Sequence, residues 1–117
     1  NYTKFLVDLN NIKRIIVISC PFPTISDGQN KGIVNNLRKE IKATQKERTI
    51  LTLEFNRLIR EQCKKLKIDY INLDTESISN NDGLVLKELK NKDPYDHHYS
   101  PYEYSNLLSP YISKFLT

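Results

Sequence analysis

Asp96, His97 and His98 set the only two histidines of the chain side by side, directly after a carboxylate and just before a helix start at Ser100-Pro101. A carboxylate beside an imidazole holds its tautomer and stabilises the imidazolium that forms when histidine takes a proton from a nucleophile. In an extended backbone, side chains two residues apart emerge on the same side. Asp96 is then expected to orient His98, with His97 pointing the other way. That alternation makes His98 the expected general base and His97 the second choice. Three plainer roles compete. The histidines can be ordinary exposed loop residues. Asp93, Asp96, His97 and His98 can ligate a metal, although no motif such as HExxH supplies further ligands. An aspartate ahead of a helix can also act only as a cap or dipole group.

The elements that must position this cluster are legible from periodicity. Residues 2–10 place Phe5, Leu6 and Leu9 at helical spacing. "RIIVIS" (14–19) is a continuous β-branched run, too short for a helix and apolar on both faces, which suits a buried parallel strand. "CPFPTISDGQNKG" (20–32) carries two prolines and two glycines and reads as a loop leaving the C-terminal end of that strand. From about Thr49 to Lys67 the chain reads as a helix, with Leu51, Phe55, Leu58, Ile59, Gln62 or Cys63, and Leu66 forming one apolar stripe. "IDYINL" (68–73) is a second strand, "TESISNNDG" a loop, and "LVLKEL" either a short helix or a strand. Ser100-Pro101-Tyr102-Glu103 has the form of a capping box, and Pro110 predicts a kink or restart at Ser109. Strand, helical crossover and strand make a right-handed parallel βαβ unit. Ligands of open parallel sheets bind beyond the carboxyl ends of the strands. Residues 20–27 and 75–83 lie at that edge, and the Asp-His-His loop can reach it.

The 117 residues suit one domain, and with 38% hydrophobic and 27% charged residues the composition is that of a folded domain rather than a disordered tract. No apolar run approaches the roughly 18 residues of a membrane span, so no membrane partner is expected. Cys20 and Cys63 have neither CxxC spacing nor a disulfide framework; reduced thiols are expected, which favours a cytoplasmic setting. Asn1-Tyr2-Thr3 fits a glycosylation sequon. The net charge of +4 is concentrated in residues 38–67 (Arg38, Lys39, Lys42 and Lys46 among them). Glu40, Glu47, Glu54 and Glu61 are interspersed, so this reads as a solvated helix face and nucleic-acid binding is not expected.

Two parallel strands do not make a sheet that survives alone. Either further strands hide in the undecided segments, or the chain is the C-terminal part of a larger α/β domain, which is the preferred expectation. In its order of parts the chain resembles the C-terminal half of SGNH/GDSL-type hydrolases. The resemblance runs from "RIIVISCPFPT" through "ERTILTLEFNRLIREQCKKL", "IDYINLD" and "NDGLVLKEL" to "DPYDHHYSPYEYSNLL". It implies a flavodoxin-like three-layer αβα fold and a serine esterase or acyltransferase acting on a small-molecule or glycan ester. No metal or organic cofactor is implied. The last block of such proteins carries the catalytic Asp and His, usually as Asp-x-x-His. Here Asp93 lies four before His97, whereas Asp96 and His98 match the Asp-x-His form of some acetyltransferases in the superfamily. The Gly-Asp-Ser nucleophile motif is not identifiable; "ISDG", with Ser26, has the wrong order. The resemblance therefore implies an upstream serine and association with the N-terminal part of the same domain. Two alternatives remain. One takes Cys20 as nucleophile, at the end of a buried strand; the other is a non-catalytic α/β module that binds through its basic helix. Tyr95, Tyr99 and Tyr102 can line an apolar or sugar-binding surface, or pack half-buried.

Overall fold

The computed structural model describes residues 1–28 and 43–116. Helix α1 (Tyr2–Ile12) opens on Asn1, whose side chain accepts the Lys4 N–H at 2.8 Å. Strand β1 (Ile16–Ile18) follows, then the long helix α2 (Gln45–Leu66) and strand β2 (Asp69–Ile71). A single-turn helix α3 (Asp74–Ser77), a 3-10 turn (Lys87–Leu89) and helix α4 (Pro101–Leu116) complete the order. The class is mixed α/β. Among the described residues the sheet has two strands, parallel, with Ile16 opposite Asp69, Val17 opposite Tyr70 and Ile18 opposite Ile71.

Helix α2 starts at Gln45, four residues before the expected start at Thr49. Thr44 caps it by accepting the Glu47 N–H at 3.1 Å, a Thr-x-x-Glu start that places an acid in the first turn. Lys64 and Lys65 sit at the opposite end, where cations suit the dipole. Lys67 terminates the helix in the left-handed region, at φ 58°, and the Ile68 N–H closes onto the Cys63 carbonyl at 2.9 Å.

The expected apolar stripe of α2 is only partly its inner face. Cys63 is buried, and Ile59 and Leu66 pack against the core formed with Leu6, Val17 and Ile68. Leu51, Phe55 and Leu58 instead stand in solvent, with Leu51 67% exposed. The buried positions nearer the helix N-terminus are Gln45, Thr49 and Asn56. Polar side chains win this face because the neighbouring loop has backbone groups to satisfy, and a buried N–H or C=O left without a partner is costly. Gln45 Nε2 donates to the Pro23 carbonyl at 3.0 Å, and Asn56 serves both backbone groups of Cys20.

A second core cluster joins Phe22, Val85, Leu89 and Tyr99. The undecided "LVLKEL" segment is neither helix nor strand throughout. Val85 makes an antiparallel bridge with Ile78, and the 3-10 turn then buries Leu89. The turn between them needs Gly83, which sits at φ +70°. The expected restart at Ser109 does not occur: α4 runs through Pro110 as one helix. Proline withholds a hydrogen bond from Asn106, four residues earlier. Both residues are exposed, so water can serve that carbonyl. Arg14 ties α4 to the sheet, donating to Asp69 at 2.9 Å and to the Phe115 carbonyl at 3.1 Å. Gln29–Gly32 of the expected loop, and Arg38, Lys39, Glu40 and Lys42 of the basic stretch, lie outside the described residues.

These contacts rank the faces of α2 by energy. Asn56→Ala is expected to cost roughly 1–3 kcal/mol, the range for a buried group stripped of its partner. Leu51→Ala should change stability by less than about 0.5 kcal/mol, as exposed positions do. Urea unfolding of the two variants checks the order; equal costs would contradict the polar inner face.

Candidate functional site

The carboxyl ends of β1 and β2 deliver Ser19 and Cys20 on one side, Leu73 and Asp74 on the other. Asn56 spans them. Its Oδ1 accepts the Cys20 N–H at 2.8 Å, while Nδ2 donates to the Cys20 carbonyl at 3.0 Å and to Asp74 Oδ1 at 2.9 Å. Ser19 Oγ accepts the Leu73 N–H at 2.9 Å, a second tie between the strand ends. The cleft left at this edge holds about 10 Å³, room for about one water, and Tyr99 and Tyr104 close its far wall.

Electrostatics at this cleft favour neutral forms. Burial pushes the Cys20 thiol up, and the Asp74 carboxylate adds to the shift. Burial also raises Asp74, against the hydrogen bond from Asn56. Burial raises Tyr70 to about 12. A nucleophilic cysteine needs a depressed pKa or an adjacent base. Cys20 has its pKa raised, and no histidine is among the cleft's lining residues. The thiol alternative is left without support.

The Asp-His-His loop lies beyond this cleft and is built from successive Asx turns rather than extended backbone. Asn91 Oδ1 accepts the Asp93 N–H at 3.0 Å, Asp93 Oδ1 accepts the Tyr95 N–H at 3.0 Å, and Asp96 Oδ1 accepts the His98 N–H at 2.9 Å. Short Asp and Asn side chains fold back on their own backbone in this way. The loop is also pinned from outside. Thr24, buried in the segment that leaves β1, donates its hydroxyl to the His97 carbonyl at 3.0 Å. Tyr99 bridges to Lys90, and its phenolic oxygen accepts the Phe22 N–H at 2.7 Å. Tyr99 is therefore a core residue, not part of an exposed aromatic surface; Tyr102 is the exposed one, at 73%.

Asp96 Oδ1 and His98 Nδ1 are 2.8 Å apart, which is the expected pairing. The cause differs from the expected one: the Asx turn, not strand alternation, folds the carboxylate onto the imidazole two residues later. For the same reason His97 does not point away. Its ring lies against that of His98, with centroids 3.9 Å apart and planes tilted by 37°. The Asp96 carboxyl is held below the usual range, first by the His98 backbone N–H and then by its ring. The pairing engages His98 Nδ1 and leaves Nε2 as the second ring nitrogen of a side chain 72% exposed. Among the described residues, Asp96, His97 and His98 present ligand atoms within 4.8 Å of one another and could hold a metal. Asp93 falls outside that group. Ser26 lies near the loop but accepts from the Lys90 ammonium at 3.2 Å.

Comparison with protein-family models, with curated proteins and with solved structures finds no match to this chain. The functional reading rests on the residues themselves.

Asn56 and Asp74 are the site residues that sequence reasoning missed. The available signals were an asparagine inside an otherwise apolar helical pattern and an aspartate three residues past the end of β2.

Two titrations follow from the local charges. Carboxyl-detected NMR should place Asp96 below the ordinary aspartate range. His98→Ala should raise it only in part, because the backbone N–H, the larger cause, is retained; a full return to the ordinary value would reverse that ranking. Asp74→Asn should lower the Cys20 pKa by removing a neighbouring negative charge, and so speed alkylation of Cys20 at neutral pH. An unchanged or slower rate would mean that Asp74 does not act on the thiol.

Proposed function

We propose that this chain supplies the acid–base half of a serine-dependent ester hydrolase or O-acyltransferase of SGNH type. The observation that carries the reading is the Asp96–His98 pair, 2.8 Å apart at Nδ1 with Nε2 open to solvent. In this reading His98 Nε2 takes the proton of a serine hydroxyl as its oxygen attacks the acyl carbon. The same imidazolium returns the proton to the departing alkoxide, leaving an acyl-enzyme. Water, or an acceptor hydroxyl, then repeats the sequence and releases the acyl group. Asp96 holds the imidazole in the required tautomer and balances its charge. His97, stacked on His98, limits the swing of the catalytic ring.

The serine lies upstream of Asn1 in this proposal, in a flavodoxin-like three-layer domain of which the described parallel pair is one side. Two features support a larger sheet: the pair of strands is small for a parallel sheet, and α2 exposes Leu51, Phe55 and Leu58 on one flank. The N-terminal part of the same domain is the proposed partner, and a small-molecule or glycan ester the proposed substrate class. No described helix is long and apolar enough to cross a membrane. The basic residues of α2 give little support to a nucleic-acid reading, since Arg57 is engaged by both Glu54 and Glu61.

Fluorophosphonate labelling of the full natural protein tests this directly. The label should map to a serine upstream of Asn1, and His98→Ala should slow labelling by roughly 10²–10⁴-fold, the usual contribution of a general base. Folded protein that takes no label, or labelling indifferent to His98, would overturn the hydrolase.

A further inference from the structure

We propose that Asp96, His97 and His98 together form a binding site for a divalent transition-metal ion of the zinc type, with coordination positions left open to water or an exogenous ligand. The inference does not depend on the hydrolase reading, although both use His98.

The geometry is that of a chelate waiting to close. Three ligand atoms, one from each consecutive residue, lie within 4.8 Å of one another. An ion would draw them to about 2.0–2.2 Å from its centre, the range for zinc with imidazole nitrogen and carboxylate oxygen. The ring centroids are 3.9 Å apart and His98 is 72% exposed, so the His98 ring has open space in which to turn toward an ion. The backbone beneath them is held. The Asx turn at Asp96 and the Thr24 hydroxyl on the His97 carbonyl keep the three residues from straightening into an alternating strand.

The donor set selects the ion. Two imidazoles and one carboxylate suit zinc, nickel or copper, whereas calcium and magnesium require mainly oxygen ligands. Asp93, the remaining carboxylate of the loop, spends Oδ1 on the Tyr95 N–H and is not grouped with the other three. Three protein ligands leave at least one position of a tetrahedral ion unfilled, as catalytic and exchangeable sites do. An ion there would take the lone pair that His98 needs as a base, so bound metal would inhibit the proposed acyl transfer.

Calorimetric titration of zinc chloride into the metal-stripped protein is the test, with calcium chloride as comparison. One zinc per chain is expected, with no calcium binding at the same concentrations. His97→Ala, His98→Ala and Asp96→Asn should each weaken zinc binding by roughly 100-fold or more, beyond the roughly 10- to 100-fold that loss of an outer partner costs. Asp96→Asn retains an oxygen to accept the His98 N–H, so the loop stays folded while the charged ligand is lost. Cys20→Ser should leave zinc binding unchanged, which separates this site from the thiol. No heat of binding at millimolar zinc, equal binding of calcium, or affinity unmoved by the three loop substitutions would each overturn the site. Because the readout is metal affinity and the hydrolase test is serine labelling, to be run with chelator present, either proposal can fail while the other stands.

Discussion

Asn56 is the residue on which the arrangement of the strand ends depends. A single buried carboxamide satisfies both backbone groups of Cys20 and still reaches the Asp74 carboxylate. Parallel strands bond along their length, but where β1 turns into the loop that follows, its N–H and C=O have no ladder partner. Water could fill that role only if the edge stayed wet. An amide from the facing helix fills it directly, and in doing so ties the helix to the mouths of both strands. The inner face of α2 accordingly changes character along its length: apolar around Cys63, where it covers the sheet, and mixed from Asn56 back to Gln45, where buried Gln45, Thr49 and Asn56 accompany Leu53 packed on the second core cluster.

The same loop transmits order to the Asp-His-His segment. After Cys20 the chain is tied on one side to α2, through Gln45 to Pro23 and Arg48 to Ile25, and on the other to the residues before α4. Phe22 and Tyr99 pack in one cluster and share a hydrogen bond. A loop held on two sides can present an exposed side chain reproducibly without burying it. That is how an imidazole can be both solvent-accessible and positioned.

Burial separates the two chemically suggestive places. At the strand-end cleft it dominates, raising Cys20, Asp74, Tyr99 and Tyr104 and favouring neutral groups. In the loop, hydrogen bonds dominate and Asp96 is held as a carboxylate. Acid–base work and metal ligation both need a carboxylate and an accessible nitrogen lone pair, and only the loop offers them together.

The two strands and the three long helices were legible in the sequence because each rests on local pattern: the β-branched run around Val17, the apolar period near Cys63, the Ser-Pro start of α4; the short turns at Asp74–Ser77, read as loop, and at Lys87–Leu89, left undecided, were not. The pairing of Asp96 with His98 was legible too, since an aspartate two residues before a histidine is within reach in more than one backbone conformation. Direction was not. Whether His97 opposes or stacks on His98 depends on turns closed by Asp93 and Asp96 and on Thr24, some seventy residues away in the chain. Nor could periodicity tell which flank of α2 faces inward, because it counts apolar residues and not the backbone groups of a distant loop that need partners. Sequence by itself determined the main helices, the strand pair and the adjacency of Asp96, His97 and His98. Tertiary structure alone decided orientation, because orientation is set by hydrogen bonds between segments that only folding brings together.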